Sequence, residues 1–219
     1  MIQRITSPQF HAADGVEDWR VLYGRAFAHF ATRDFAEGVA LVDAIATIAE
    51  AADHHPDIDL RYQGVTVRLV THAIDALSDR DVALAHEISA AARDLGIPAQ
   101  PGVMRQINVT IDTMARADVM PFWAAVLGYR ARGDEDLVDP QGIGPSFWFQ
   151  QIDEPRPQRN RVHIDVAVPH ELAEARVAAA LAAGGRLVND AHAPSWWVLA
   201  DAEGNEACIA TWIGRWWEE

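Results

Sequence analysis

Residues 34–88 read DFAEGVALVDAIATIAEAADHHPDIDLRYQGVTVRLVTHAIDALSDRDVALAHEI. Two periodicities follow one another in this stretch. From Asp34 to about His54, apolar residues recur at Phe35, Val39, Val42, Ile45 and Ala49, the one-face stripe of an amphipathic helix. Thr32 is the expected N-cap. Pro56 ends the helix, because a proline drives the residue before it out of the α region. Val65 to His72 then alternates, with Val65, Val67 and Leu69 against Thr66, Arg68 and Val70. That pattern predicts a strand with His72 on the face of Arg68 and Thr66. A second helical stripe from Asp79 to about Leu95 holds Val82, Leu84, Ala85, Ile88 and Ala92. Ser78-Asp79-Arg80-Asp81 opens it as a capping box, and Gly96 closes it. Weaker strand patterns at Trp19–Tyr23 and Ala26–Phe30 are joined by Gly24-Arg25.

Downstream, Gly96-Ile97-Pro98-Ala99-Gln100-Pro101-Gly102 packs two prolines and two glycines into seven residues, a composition that breaks regular elements. It marks a joint between domains expected at 1–97 and 104–219. The second half carries a repeat. Gln106–Ile111 reads as a strand, Val119–Leu127 as a helix and Ser146–Gln151 as a strand. Then Val162–Val168 reads as a strand, Glu171–Ala183 as a helix, and Trp196–Leu199 and Glu206–Thr211 as strands. Two copies of strand, helix and strands indicate an internal duplication.

Composition narrows the function classes. With 219 residues, half of them hydrophobic, the chain has ample material for two cores. The net charge is −14, and Arg supplies all the basic residues. Such a surface repels phosphate backbones and argues against nucleic-acid partners. No apolar run reaches the roughly 18 residues that span a bilayer, so no membrane role is expected. The N-terminus lacks the basic-then-apolar layout of a signal peptide, and Cys208 is the sole cysteine, so no intrachain disulfide forms. Both features point to a cytoplasmic location.

The densest chemical signal is Asp53-His54-His55-Pro56-Asp57, followed by Thr71-His72 and Asp81. Imidazoles titrate near neutral pH, so clustered histidines can divide acid and base roles. An isolated His-His pair is more often a surface turn than a site, and Asp81 has a second reading as the acidic member of the capping box. The two roles of Asp81 are compatible. No zinc-ligand spacing is present around these histidines.

These motifs together resemble the pterin-4a-carbinolamine dehydratases over about residues 5–95. The family's features are a helix ending in His-His-Pro, a strand ending in Thr-His and a Leu-Ser/Thr-x-x-Asp turn. Here they are His54-His55-Pro56, Thr71-His72 and Leu77-Ser78-Asp79-Arg80-Asp81. The resemblance implies an α+β fold in which an antiparallel sheet packs on helices. It implies dehydration of a 4a-hydroxytetrahydropterin to the quinonoid dihydropterin, with no metal or organic cofactor. Carried over by position, His54, His55, His72 and Asp81 are the acid–base set, with Asp53, Pro56, Arg68 and Thr71 as substrate contacts. Many members carry an aromatic residue two positions after the proline, where this chain has Ile58, so a stacking surface for the pterin is expected to be missing.

The second half resembles the glyoxalase-like members of the vicinal-oxygen-chelate superfamily through 121–129 (PFWAAVLGY), 161–168 (RVHIDVAV) and 199–206 (LADAEGNE). The fold implied is a pair of βαβββ modules around a cupped sheet. Metal-dependent members place ligands at four positions, two per module, which fall here on Asn108, about Gln150, His163 and Cys208. Two amides are weak ligands, so no metal is expected, and His163 is expected to line the cup. Trp148 and Trp197 are expected to face it. The remaining tryptophans, Trp123, Trp196, Trp212, Trp216 and Trp217, suit a core or an interface.

Three function classes stay open on the sequence: a dehydratase with an accessory domain, a non-enzymatic binding or dimerisation protein, and an enzyme acting through the second half. The intact histidine set favours the first and the eroded metal positions weigh against the third. Both families imply self-association, so a homo-oligomer is expected.

Overall fold

The computed structural model describes residues 2–154, 163–168, 170–211 and 213. Arg161, Val162, Trp212, Trp216 and Trp217 lie outside that set. The chain divides into two compact units, Met1–Gln106 and Ile107–Glu219. Among the described residues, no helix is long and apolar enough to cross a membrane.

The first unit opens with α1 (Ser7–His11), β1 (Arg20–Leu22) and β2 (Arg25–Ala31). The hairpin between the strands turns on Tyr23 and Gly24, at φ 45° and 75°, a two-residue geometry whose twist matches that of paired strands. The turn therefore sits one residue before the expected Gly24-Arg25.

α2 (Phe35–Ala52) follows, capped by Asp34, whose carboxylate accepts from the Glu37 N–H at 2.9 Å. The expected cap, Thr32, is instead buried before the helix. The buried face is Gly38, Leu41, Ile45 and Ala49, while Phe35 and Val39 are exposed. Gly38 explains this offset from the expected stripe. A Cβ there would stand 2.5 Å from Leu60 Cδ1, so with glycine the helix packs on the sheet at this distance without displacing the Leu60 side chain.

β3 (Asp57–Arg61), β4 (Gly64–Leu69) and α3 (Asp79–Asp94) complete the unit. The sheet order is β1-β2-β4-β3 and every pairing is antiparallel. Trp19, Phe30, Leu41, Ile45, Leu69, Leu84 and Ile88 fill the core shared by the sheet and its helices. Trp19 Nε1 donates to Ser89 Oγ at 3.1 Å and tethers the start of β1 to α3. The segment after α3 stays with this unit. Ile97 is buried in its core, Ala31 N donates to Pro98 O at 2.9 Å, and Gln100 N donates to His29 O at 2.7 Å.

The second unit runs β5 (Asn108–Thr113), α4 (Arg116–Leu127), β6 (Arg130–Arg132), β7 (Asp136–Val138) and β8 (Ser146–Gln151). It then repeats the order with β9 (Ile164–Ala167), α5 (Ala173–Ala182), β10 (Arg186–Asn189), β11 (Trp196–Ala200) and β12 (Glu206–Ala210). The sheets are ordered β5-β8-β7-β6 and β9-β12-β11-β10, and in each the first strand runs parallel to the last. The expected duplication is thus a pair of βαβββ modules. They share one core, in which Phe122, Trp123 and Val126 of the first module meet Val177, Leu199 and Ile209 of the second. The turn at Asp201–Asn205 has a packing role. Asp201 is fully buried and accepts from Trp123 Nε1 at 2.9 Å and from the Asn205 N–H at 2.8 Å.

Candidate functional site

In the first unit the chemistry-bearing residues gather at one end of the sheet. Asp57 pairs with Arg68 where β3 begins and β4 ends. His55 lies two residues before that pair and His72 four residues after it. The end of α2 is brought to the start of α3 by Arg80, whose Nη2 donates to the carbonyl of Ala52 at 3.0 Å and to that of Asp53. These are carbonyls that a helix C-terminus leaves without intrahelical partners, and a guanidinium there also complements the helix dipole. Asp53 is left-handed, at φ 46°. Asparagine and aspartate tolerate that conformation better than most residues, and it turns the chain from helix into His54-His55-Pro56.

Asp81 is the centre of the site and is fully buried. One carboxylate oxygen lies 2.9 Å from His54 Nε2. The other accepts from the Ser78 N–H at 2.7 Å and from Thr71 Oγ1 at 2.6 Å. Thr71 Oγ1 lies 2.6 Å from Ser78 Oγ as well. The same side chain therefore closes the capping box of α3 and anchors His54. A buried carboxylate is tolerated only when its lone pairs are taken up in this way.

Burial separates the histidines that the sequence had grouped. His54 is 5% exposed and committed to Asp81. His55 is exposed, with Nε2 3.1 Å from Glu50 Oε1, and His72 is exposed at the start of a single 3-10 turn, His72–Ile74. β4 stops at Leu69, so His72 does not share the Arg68 face.

Other expectations shift too. Thr71 is buried in the Asp81 network rather than set to touch substrate. Arg68 is paired with Asp57 at 2.7 Å. Pro56 is half-buried. Ile58 packs against the core, paired with Val67, so an aromatic residue there would change core volume rather than supply an exposed stacking face. Arg80 escaped the sequence reading, because only the packing of α2 against α3 gives it a partner.

A family model described as Pterin 4 alpha carbinolamine dehydratase matches residues 4–91, and one described as Glyoxalase-like domain matches residues 108–210. The chain joins a pterin-dehydratase-like domain to a glyoxalase-like domain. A Mycobacterium tuberculosis (strain H37Rv) protein named "Putative pterin-4-alpha-carbinolamine dehydratase" is 46% identical over 56 residues, which are 26% of this chain and 60% of that protein. A Nocardia farcinica protein of the same name is 49% identical over 59 residues, 27% of this chain and 62% of that protein. The chain thus spans about three-fifths of the length of the curated relatives it matches. Among solved structures, a transcriptional coactivator/pterin dehydratase from Brucella melitensis is 27% identical, covering 41% of this chain and 99% of that one, with a TM-score of 0.37. A glyoxalase/bleomycin resistance protein/dioxygenase family enzyme from Burkholderia phytofirmans is 19% identical, covering 48% of this chain and 95% of that one, with a TM-score of 0.36.

In the glyoxalase-like domain, strand register sorts the expected cup residues. Asn108 pairs with Ser146, and Asp112 with Gln150, so Asn108, Trp148 and Gln150 share the face opposite the buried Phe147 and Phe149. Trp148 Nε1 donates to Glu135 at 3.2 Å. Trp197 is a correction, because it is half-buried and packs against the core, on the strand face of the buried Leu199. Its neighbour Trp196 takes the other face and stacks on His192 with ring centroids 4.2 Å apart.

The four ligand positions implied by the fold do not fit a divalent ion as a set, since the Asn108 and Gln150 amides carry no charge to hold one. His163 and Cys208, however, meet directly, with Sγ 3.5 Å from Nδ1. Asp165, absent from the sequence reading, joins them at 3.1 Å from the same nitrogen. Its signal was the two-residue spacing from His163, which puts both side chains on one face of a strand.

Proposed function

We propose that the pterin-dehydratase-like domain removes water from a 4a-hydroxytetrahydropterin, with His55 and His72 moving the protons and the Asp81–His54 pair holding their frame. The observation that carries this reading is the division of the histidines: one buried and fixed, two exposed at the same end of the sheet. In the reaction an acid protonates the 4a-hydroxyl, the C4a–O bond breaks and water leaves. The N5 lone pair forms the new C=N bond while a base takes the N5 proton. Two imidazoles in opposite protonation states suffice for both transfers; a turnover leaves those states exchanged, and proton exchange with solvent, to which both side chains are exposed, resets them. His54 is less suited to either transfer, because its Nε2 is taken by Asp81 inside the protein. Its part is to fix the peptide that presents His55. The second domain is accessory to this chemistry.

The test is a stopped-flow dehydration assay with a 4a-hydroxytetrahydropterin. His55→Ala and His72→Ala are each expected to lower turnover by about 10²- to 10⁴-fold, the usual worth of a positioned acid or base. Both exposed replacements should leave the fold intact. Wild-type turnover in the double variant would refute the assignment.

A further inference from the structure

We propose that the glyoxalase-like domain binds one thiophilic divalent cation of the zinc class through three side chains of its second module: His163 Nδ1, a carboxylate oxygen of Asp165 and Cys208 Sγ. The set keeps His163 and Cys208, two of the four positions shared between modules, and adds a ligand from outside them. Asn108 and Gln150 take no part, and Asp165 is not one of those positions.

Strand geometry creates the cluster. Asp165 of β9 is the direct partner of Cys208 in β12, in parallel register, so their side chains leave the sheet on one face. His163, two residues earlier, leaves on that face too. The three donor atoms all lie within 4.8 Å of one another.

The two separations that involve Nδ1 are close to those of a coordination polyhedron. Zinc bonds of about 2.3 Å to sulfur and about 2.0–2.2 Å to nitrogen and oxygen, at tetrahedral angles, place N and S about 3.5 Å apart and N and O about 3.4 Å apart. Here Sγ is 3.5 Å from Nδ1, and Oδ1 of Asp165 is 3.1 Å from it. As hydrogen bonds the two contacts compete, because Nδ1 has one proton or one lone pair to share between the thiol and the carboxylate. As ligands around a shared ion they do not compete.

The donor set also selects the ion. A thiolate with an imidazole favours zinc-like metals over magnesium or calcium, which require oxygen ligands. Cys208 is 6% exposed, whereas the side chains of His163 and Asp165 are 52% and 64% exposed. The site is therefore open to solvent on one side, the layout of three protein ligands and a vacant fourth position found in catalytic rather than structural zinc sites. Binding would release the thiol proton to solvent, and a net charge of −14 favours a cation over an anion.

The experiment uses the whole chain, purified without a polyhistidine tag, reduced and stripped of metal. Titration with Co²⁺ should saturate at one equivalent and produce a thiolate-to-cobalt charge-transfer band in the near ultraviolet. Competition with Zn²⁺ then gives the zinc affinity. Cys208→Ser should abolish the band and weaken zinc by at least about 100-fold, and Asp165→Asn and His163→Ala by at least about 10-fold each, since even outer-shell changes cost 10- to 100-fold. Absence of binding, a cobalt spectrum without the thiolate band, or zinc affinity unchanged in Asp165→Asn and His163→Ala would overturn the proposal. If Cys208→Ser fails to fold, the two exposed variants decide the question by the same competition. None of these readouts depends on dehydratase activity.

Discussion

Replacing Asp81 by Asn tests whether one buried carboxylate organises the dehydratase-like site. The side chain keeps its shape and loses its charge. Its remaining oxygen can still accept from the Ser78 N–H and Thr71 hydroxyl, which lie 2.7 and 2.6 Å from one oxygen of the native group. The new amide NH₂ then faces His54 Nε2, 2.9 Å away in the native pair, and the ring must present a lone pair there. A hydrogen bond to a charged group contributes about 1.5–3 kcal/mol and a neutral one about 0.5–1.5. Each of the three bonds therefore weakens by about 1 kcal/mol, for an expected loss of about 2–3 kcal/mol. For a unit of about 100 residues that is a fall in Tm of about 10–20 °C. Asp81→Ala leaves the Ser78 N–H, Thr71 O–H and His54 Nε2 buried without their partner and should cost more, about 4–5 kcal/mol. Scanning calorimetry of the full chain reads the shift, with the glyoxalase-like transition as an internal reference. A decrease under about 2 °C for Asp81→Asn, the scale of an ordinary surface substitution, would show that the network does not hold this end of the sheet.

Two further outcomes are expected. A fragment of residues 1–106 should fold and unfold cooperatively, whereas residues 1–97 should melt at a lower temperature, because truncation removes the bonds from Ala31 N to Pro98 O and from Gln100 N to His29 O; equal melting curves would contradict the assignment of that segment to the first core. Burial holds the pKa of His29 below its ordinary 6.5, so the folded state binds fewer protons there than the unfolded chain. The stability His29 contributes is present above about pH 6.5 and is lost as pH falls through and below that range. His29→Gln should flatten this acid-side loss in urea titrations run between about pH 5 and 7.5, and an unchanged pH profile would remove His29 as its source.

The sequence by itself determined much of this protein. Periodicity located α2, α3, α4 and α5 and the main strands, because a buried face imposes its own spacing on apolar residues. The order of those elements announced the duplicated second half, and His54-His55-Pro56 with Thr71-His72 and Asp81 marked the candidate site. What failed was anything set by a partner distant in sequence. β3 was missed because Asp57, Asp59 and Arg61 are poor strand formers that pair only because β4 offers an open edge. The short strands β6, β7 and β10 carry too few residues to show a period. The buried stripe of α2 was misplaced because the contact between Gly38 and Leu60 is invisible along the chain. The same rule governs the sites. Three histidines look equivalent in one dimension, and only packing makes His54 a buried anchor while His55 and His72 stay exposed. Trp196 and Trp197 are adjacent letters, yet strand register sends them to opposite faces and packs only Trp197 against the core cluster. Asp165 and Cys208 are 43 residues apart, and the parallel pairing of β9 with β12 alone makes them neighbours. Local spacing is written in the sequence, whereas burial and cross-strand proximity arise only when the chain closes on itself.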